Sequence, residues 1–103
     1  MAFMLINRLT ATTGRRDEVV RNLIDAGKRF DDNAACLLYL VAESTDADDA
    51  IWVIDLWTSE TDHAAALQDP ELQPSIAATT PLLTGMPQQI RVNARGGKGV
   101  PDG

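Results

Sequence analysis

Residues 51–57, Ile51-Trp52-Val53-Ile54-Asp55-Leu56-Trp57, are apolar at both parities of a strand, and residues 36–42, Cys36-Leu37-Leu38-Tyr39-Leu40-Val41-Ala42, share that character. An antiparallel sheet with one wet face alternates apolar and polar positions, so strands this oily need cover on both sides. A chain of 103 residues has too few helices for two faces. Helices are therefore expected on one face and a second copy of the chain on the other, with a small-molecule pocket under the helices.

The remaining pattern supplies the other elements. Residues 3–9 read as a first strand, with Phe3, Leu5, Asn7 and Leu9 on one side and Met4, Ile6 and Arg8 on the other. Gly14 breaks that pattern. From Asp17 a helix follows, because Val20, Leu23, Ile24, Gly27 and Phe30 recur at helical spacing. Asp17 and Glu18 at its start and Lys28 and Arg29 at its end complement the helix dipole. Gly27 weakens the helix but allows close approach to whatever it packs on. After Asp31-Asp32-Asn33 comes the second strand, and the acidic run over residues 43–49 reads as a solvated hairpin connection to the third.

Ser59 is placed to cap a short helix, with Asp62 three residues on in a capping-box-like pairing. Asp69-Pro70 restarts the chain, and Pro74 belongs in the first turn of a further helix carrying Ile76 and Ala77, bent near Pro81. Gly85-Met86-Pro87 turns into a last strand over residues 88–93, where Ile90 and Val92 alternate with Gln89, Arg91 and Asn93. The order is strand, helix, strand, strand, helix pair, strand: an α+β, ferredoxin-like split βαβ with one antiparallel sheet. The folded domain is expected over residues 1–94, with residues 95–103, rich in glycine, lysine and proline, as a frayed tail.

Composition narrows the function classes. The net charge of −6 and a sequence pI near 4.5 repel nucleic acid and anionic membranes, and no basic stripe offsets them. Cys36 is the single cysteine, so no internal disulfide forms; its apolar neighbours suggest a buried, inert thiol in a reducing cytoplasm. No apolar run approaches the ~20 residues that span a bilayer, and no basic segment leads into a long apolar one at the N-terminus. An intracellular, cytoplasmic protein is expected. One His and one Cys cannot build a structural zinc site, and HExxH, CxxC, EF-hand, GxSxG and phosphate-cradling patterns are missing, so no cofactor or metal is expected.

What remains is a small polar and aromatic set within an apolar sheet. Asn7 interrupts the inward row of the first strand, and a buried amide without a partner costs about 1–3 kcal/mol. It pairs with backbone, with a buried water or with a ligand oxygen. Trp57, at the end of the third strand on the parity of Val53 and Asp55, is a core anchor or the wall of a planar ligand. Trp52, of opposite parity, points to the subunit interface. His63, early in the short helix, is a solvated side chain or a proton-transfer group. Tyr39 is a core aromatic first and a ligand hydrogen-bonder second, and Arg91 sits at the surface or neutralises an anionic ligand.

These pieces resemble the antibiotic biosynthesis monooxygenase family, small dimeric α+β barrels, over the whole chain except the tail. The matching segments are Leu5-Ile6-Asn7-Arg8-Leu9-Thr10, Asp55-Leu56-Trp57-Thr58-Ser59-Glu60, Asp69-Pro70-Glu71-Leu72 and Pro81-Leu82-Leu83-Thr84-Gly85. The resemblance implies a homodimer packed sheet on sheet, each subunit keeping a pocket between sheet and helices. In anthrone-oxidising members a first-strand asparagine and the third-strand tryptophan serve catalysis, and Asn7 and Trp57 match those positions. A second asparagine of such oxygenases is replaced by Val53, which joins Tyr39 and Arg91 as an expected substrate-contact position. Haem-degrading members carry a tryptophan and a histidine where Ala66 and about Ser75 stand here, which disfavours haem chemistry. His63 stands where one polyketide oxygenase type has a functional tyrosine, and so becomes the third catalytic candidate.

The function that the resemblance implies is cofactor-independent oxidation of an electron-rich anthrone or quinol by O₂. The deprotonated substrate itself reduces oxygen, so the protein need only bind it, favour its anion and exclude water. Two alternatives stand beside it: a non-oxidative polyketide cyclase or isomerase using His63, and a non-catalytic ligand-binding dimer.

Overall fold

The computed structural model describes residues 2–100, in the order β1 (Ala2–Thr10), α1 (Arg16–Gly27), β2 (Cys36–Glu43), β3 (Ala50–Trp57), α2 (Glu60–Ala66), α3 (Gln73–Thr79) and β4 (Gln88–Ala94). Short 3-10 turns extend α1 (Lys28–Phe30), precede α3 (Pro70–Leu72) and follow it (Thr80–Leu82). The strands form one antiparallel sheet in the order β2-β3-β1-β4, the ferredoxin-like α+β arrangement expected. Residues 95–100 continue without regular structure; the rest of the expected tail, residues 101–103, lies outside the described residues.

Register decides which side chains share a face. Opposite Phe3, Leu5, Asn7 and Leu9 of β1 stand Trp57, Asp55, Val53 and Ile51 of β3. This row faces the helices, and its Leu9, Ile51 and Val53 join Val19 of α1 in the core. Ile51, Val19 and Trp57 are fully buried, each contributing about 1.5–3 kcal/mol of transfer free energy. The opposite parity carries Met4, Ile6, Ile54, Leu38, Leu40, Ile90 and Val92 on the helix-free face. Leu38, Leu40, Ile90 and Val92 are exposed there, although Leu56 at the same parity is buried. Trp52 also lies on this face, half-buried, with the Arg8 guanidinium 5.9 Å from its ring centroid.

The helical stripe is centred one position away from the expected one. Val19, Ala26 and Gly27 are the buried residues of α1, Val20 and Leu23 are partly buried against the core, and Ile24 is 47% exposed. Apolar side chains flank the true stripe on both sides, so periodicity alone does not choose its centre. Cys36, expected to be buried, is half-buried, with burial pushing its thiol pKa up.

Capping fixes the short elements as the sequence implied. Ser59 Oγ accepts from the Asp62 backbone N–H at 3.1 Å, while the Asp62 carboxylate turns to the Thr58 hydroxyl. Asp69 Oδ1 accepts from Glu71 N–H at 2.9 Å, and Pro74 lies in the first turn of α3. No residue of α2 is fully buried, so its cap, worth ~1 kcal/mol, weighs heavily in holding it.

Gly27 is where α1 comes closest to the sheet. A Cβ there would stand 2.4 Å from Tyr39 Cε1, and the Tyr39 hydroxyl is tied to the Leu23 carbonyl at 2.9 Å, so the ring has little room to retreat. Gly27→Ala is expected to destabilise the protein by about 1–3 kcal/mol through overpacking, despite a helix-propensity gain of up to ~1 kcal/mol. Urea denaturation checks this, and an unchanged or raised midpoint contradicts the packing account.

Candidate active site

Between the helix-facing row of the sheet and the helices lies a cavity of about 260 Å³. Leu5, Asn7, Val53, Asp55 and Trp57 form its floor, and Leu23, Leu67 and Ile76 stand on the helical side. Leu67 and Ile76 are 41% and 44% exposed, so apolar side chains border the route from solvent. A space of this kind, apolar with a few polar groups directed into it, is the usual form of a small-molecule site.

β3 sets the polar centre. Residues 55 and 57 are two apart on a strand and project to the same face, which allows Trp57 Nε1–H to donate to Asp55 Oδ2 at 2.6 Å. Trp57 has no exposed surface. Its ring meets Phe30 edge-on at 5.2 Å and His63 at 5.4 Å between centroids. The capped turn after β3 swings α2 back across the strand end, so that His63 packs between Trp57 and Phe3, 5.8 Å from the latter's ring. Its Nε2 lies 3.8 Å from Asp55 Oδ2, an ion-pair distance beyond direct hydrogen-bond reach.

Asp55 is the functional candidate that sequence reasoning passed over. It is 6% exposed in an otherwise apolar row, and burial raises its carboxyl pKa, against the lowering effects of the Trp57 hydrogen bond and His63. A signal was present: a lone acid at the inward parity of a greasy strand needs a reason to be there. Tyr39, across from Asp55 on β2, also lines the cavity, with its hydroxyl spent on the Leu23 carbonyl and its pKa pushed up to about 12, chiefly by burial. It contributes a wall with its proton firmly held.

Asn7 finds its partner on β4. Val53 stands directly across from it on β3, but Gln89 is its neighbour on the other side, and Gln89 Nε2 donates to Asn7 Oδ1 at 3.0 Å. The Asn7 amide N–H₂ thus has no hydrogen-bond acceptor among the described residues and can donate to a ligand oxygen. The structure therefore gathers Asn7, Tyr39, Val53, Trp57 and His63 around one space. Arg91 is not brought to it: its guanidinium pairs with Glu60 at the start of α2 and lies 5.2 Å from the Phe3 ring centroid, outside the cavity lining. Among the described residues no group of three or more His, Cys, Asp or Glu side chains is placed to hold a metal ion, and no helix is long and apolar enough to cross a membrane.

The profile of the antibiotic biosynthesis monooxygenase family matches residues 2–77, which include the whole floor of this cavity. The chain belongs to that family. Among solved structures, this monooxygenase-family chain is similar to a protein of Chloroflexus aurantiacus J-10-fl named for the same family, with 29% identity, a TM-score of 0.78, and coverage of 94% of this chain and 98% of that one. It is similar in fold to SnoaB, a cofactor-independent oxygenase from Streptomyces nogalater, with 21% identity, a TM-score of 0.80, and coverage of 93% and 95%. A protein of Caulobacter crescentus CB15 named for the family shares the fold at 18% identity, with a TM-score of 0.84 and coverage of 90% and 89%. A comparison with curated proteins returns no match.

For this family member the raised Asp55 carboxyl has a stability consequence. The folded state holds the Asp55 proton more tightly than the unfolded chain, so that contribution is complete below the ordinary carboxylate value near ~3.9. It is lost as pH rises through the folded-state value. Asp55→Asn removes the charge and keeps an acceptor for the indole. Its stability relative to the unmodified chain is expected to rise from about pH 4 upward and then level off, as followed by urea midpoints across pH. A difference that shrinks as pH rises contradicts the assignment.

Proposed function

We propose that the chain is a cofactor-independent monooxygenase that oxidises an electron-rich aromatic of the anthrone or quinol type with O₂. The observation that carries this reading is the apolar cavity lined by Asn7, whose amide N–H₂ has no acceptor among the described residues, and by the buried carboxylate of Asp55. Membership of the family and the shared fold with SnoaB, a cofactor-independent oxygenase, support it.

The chemistry belongs mainly to the substrate. Loss of a proton from an anthrone leaves an enolate, which transfers one electron to O₂; the resulting radical and superoxide combine to a peroxide anion, which takes up a proton to give the hydroperoxide. Loss of water then leaves the new carbonyl, so one oxygen atom stays in the quinone and the other departs in water. The Asn7 N–H₂ donates to the carbonyl oxygen as it gains negative charge, an interaction stronger in the enolate than in the ketone. Trp57, fully buried behind the cavity floor with its indole N–H already given to Asp55, holds the carboxylate. The helices exclude bulk water from the ion that forms.

Two copies of the chain assemble in this proposal with their helix-free sheet faces together. Leu38, Leu40, Ile90 and Val92 leave that face apolar and open to solvent in the single chain, and continuous apolar patches of this kind mark association surfaces. The single free thiol supports placement in the reducing cytoplasm.

Oxygen uptake with dithranol, an anthrone, and no added cofactor tests the chemistry. The chain is expected to consume oxygen and form the quinone, and Asn7→Ala to lower kcat by about 10²–10³-fold, in the range for loss of an oxyanion donor. Product that forms equally well without oxygen indicates a cyclase or isomerase, and binding without turnover a carrier. The assembly is tested by light scattering: a dimer is expected for the unmodified chain and a folded monomer for Leu40→Asp. A monomeric unmodified chain contradicts the sheet-on-sheet pairing.

A further inference from the structure

Among the described residues Asp55 is the single carboxylate lining the cavity, and none of the chemical steps above employs it. Oδ2 is held by the Trp57 indole at 2.6 Å and faces His63 Nε2 at 3.8 Å, while Oδ1 receives no hydrogen bond from any described side chain. No fully buried side-chain oxygen or nitrogen among the described residues lacks a partner, so Oδ1 retains access to the cavity even though the side chain is 8% exposed. A carboxylate fixed through one oxygen and open at the other is in the position of a general base.

We propose that Asp55 is the catalytic base, taking the substrate proton on Oδ1, with Trp57 and His63 as its positioning residues; this rests on the monooxygenase reading above. The C–H bond of the substrate breaks, its electron pair remains on the substrate as the enolate, and the proton passes to the carboxylate. The peroxide anion formed with O₂ takes that proton back as it becomes the hydroperoxide, and Asp55 is ready again; the later loss of water consumes no further proton. No outside reductant is needed.

The surroundings favour this assignment. Burial raises the Asp55 pKa, which strengthens the carboxylate as a base relative to a solvated one. Tyr39 faces it from β2 with its proton held, Cys36 lies further along the same strand, and His63 faces it from α2; β1 presents only Leu5 opposite. The His63 ring, with Nε2 3.8 Å from Oδ2 and packed on Trp57, helps to keep the carboxylate in place. Asn7 cannot perform the transfer, because an amide is too weak a base, and its free N–H₂ is a donor.

Proton abstraction is separable from oxidation by working without oxygen. Dithranol incubated anaerobically with the full chain in D₂O exchanges its methylene hydrogens for deuterium if the protein abstracts a proton, and NMR reads the exchange. The unmodified chain is expected to accelerate exchange, with a rate that rises with pH as Asp55 ionises. Asp55→Asn is expected to lose at least about 100-fold of that rate while still binding the aromatic, and Asp55→Glu to recover part of it. His63→Gln should lower the rate less and shift its pH profile. Exchange and oxygen uptake by Asp55→Asn equal to those of the unmodified chain overturn Asp55 as the base and leave the monooxygenase reading standing. No exchange and no oxygen uptake by the unmodified chain overturn both.

Discussion

The hydrogen bond from Trp57 to Asp55 joins the core of this protein to its working cavity. One end of the pair is an indole with no exposed surface, packed against Phe30 and His63. The other is a carboxylate that would be costly to bury without a donor. Because both residues lie on one face of β3, the strand that forms the centre of the sheet also fixes the position of the charge. The aromatic rings hold the indole, the indole holds one carboxylate oxygen, and the second oxygen is left to the cavity. Replacing the pair by apolar side chains would simplify the core and remove the one acid from the site. Retaining a buried carboxyl that costs stability once it ionises is the kind of cost found where function sets the residue.

Around that pair the fold is asymmetric. Three helices and their flanking turns all lie on one side of a four-stranded sheet, yet the strands carry apolar side chains on both. On the helix side the row is mixed, with Asn7, Asp55 and Gln89 among aliphatic and aromatic neighbours, and a cavity remains there. On the other side β4 contributes Ile90 and Val92, and β2 contributes Leu38 and Leu40, to a flat surface without a polar interruption at those positions. The two faces thus suit different occupants: a small aromatic molecule that meets a few fixed polar groups, and a broad apolar partner surface.

Asn7 shows how the sheet redistributes polarity. At the position across from it on β3 stands Val53, so that the hydrogen-bond partner comes instead from β4, where Gln89 occupies the adjacent register. The partner fixes one end of the amide and frees the other, which a lone asparagine among aliphatics would not achieve. Arg91, two residues further along the same strand, projects to the same face but is drawn off by Glu60 and by the Phe3 ring. One strand thereby supplies both the support of the site and an ion pair beside it.

The sequence by itself determined the local devices, because each depends on residues a few positions apart. Strand parity put Asp55 and Trp57 on one side of their strand and Asn7 in the row of Phe3, Leu5 and Leu9; Ser59 set the start of α2, and Pro74 had to lie in a first helical turn. The two-sided apolarity of residues 36–42 and 51–57 was likewise legible. Tertiary structure alone decided which of the neighbouring apolar residues of α1 became core, selecting Val19 and Ala26 over Ile24 by the angle at which the helix meets the sheet. It also decided the pairing of Asn7 with Gln89 and the diversion of Arg91 to Glu60, contacts across 82 and 31 positions that no local pattern encodes. The raised affinity of Asp55 for its proton belongs to this second class, since desolvation is produced by all the groups packed around a carboxylate and not by the residue that carries it.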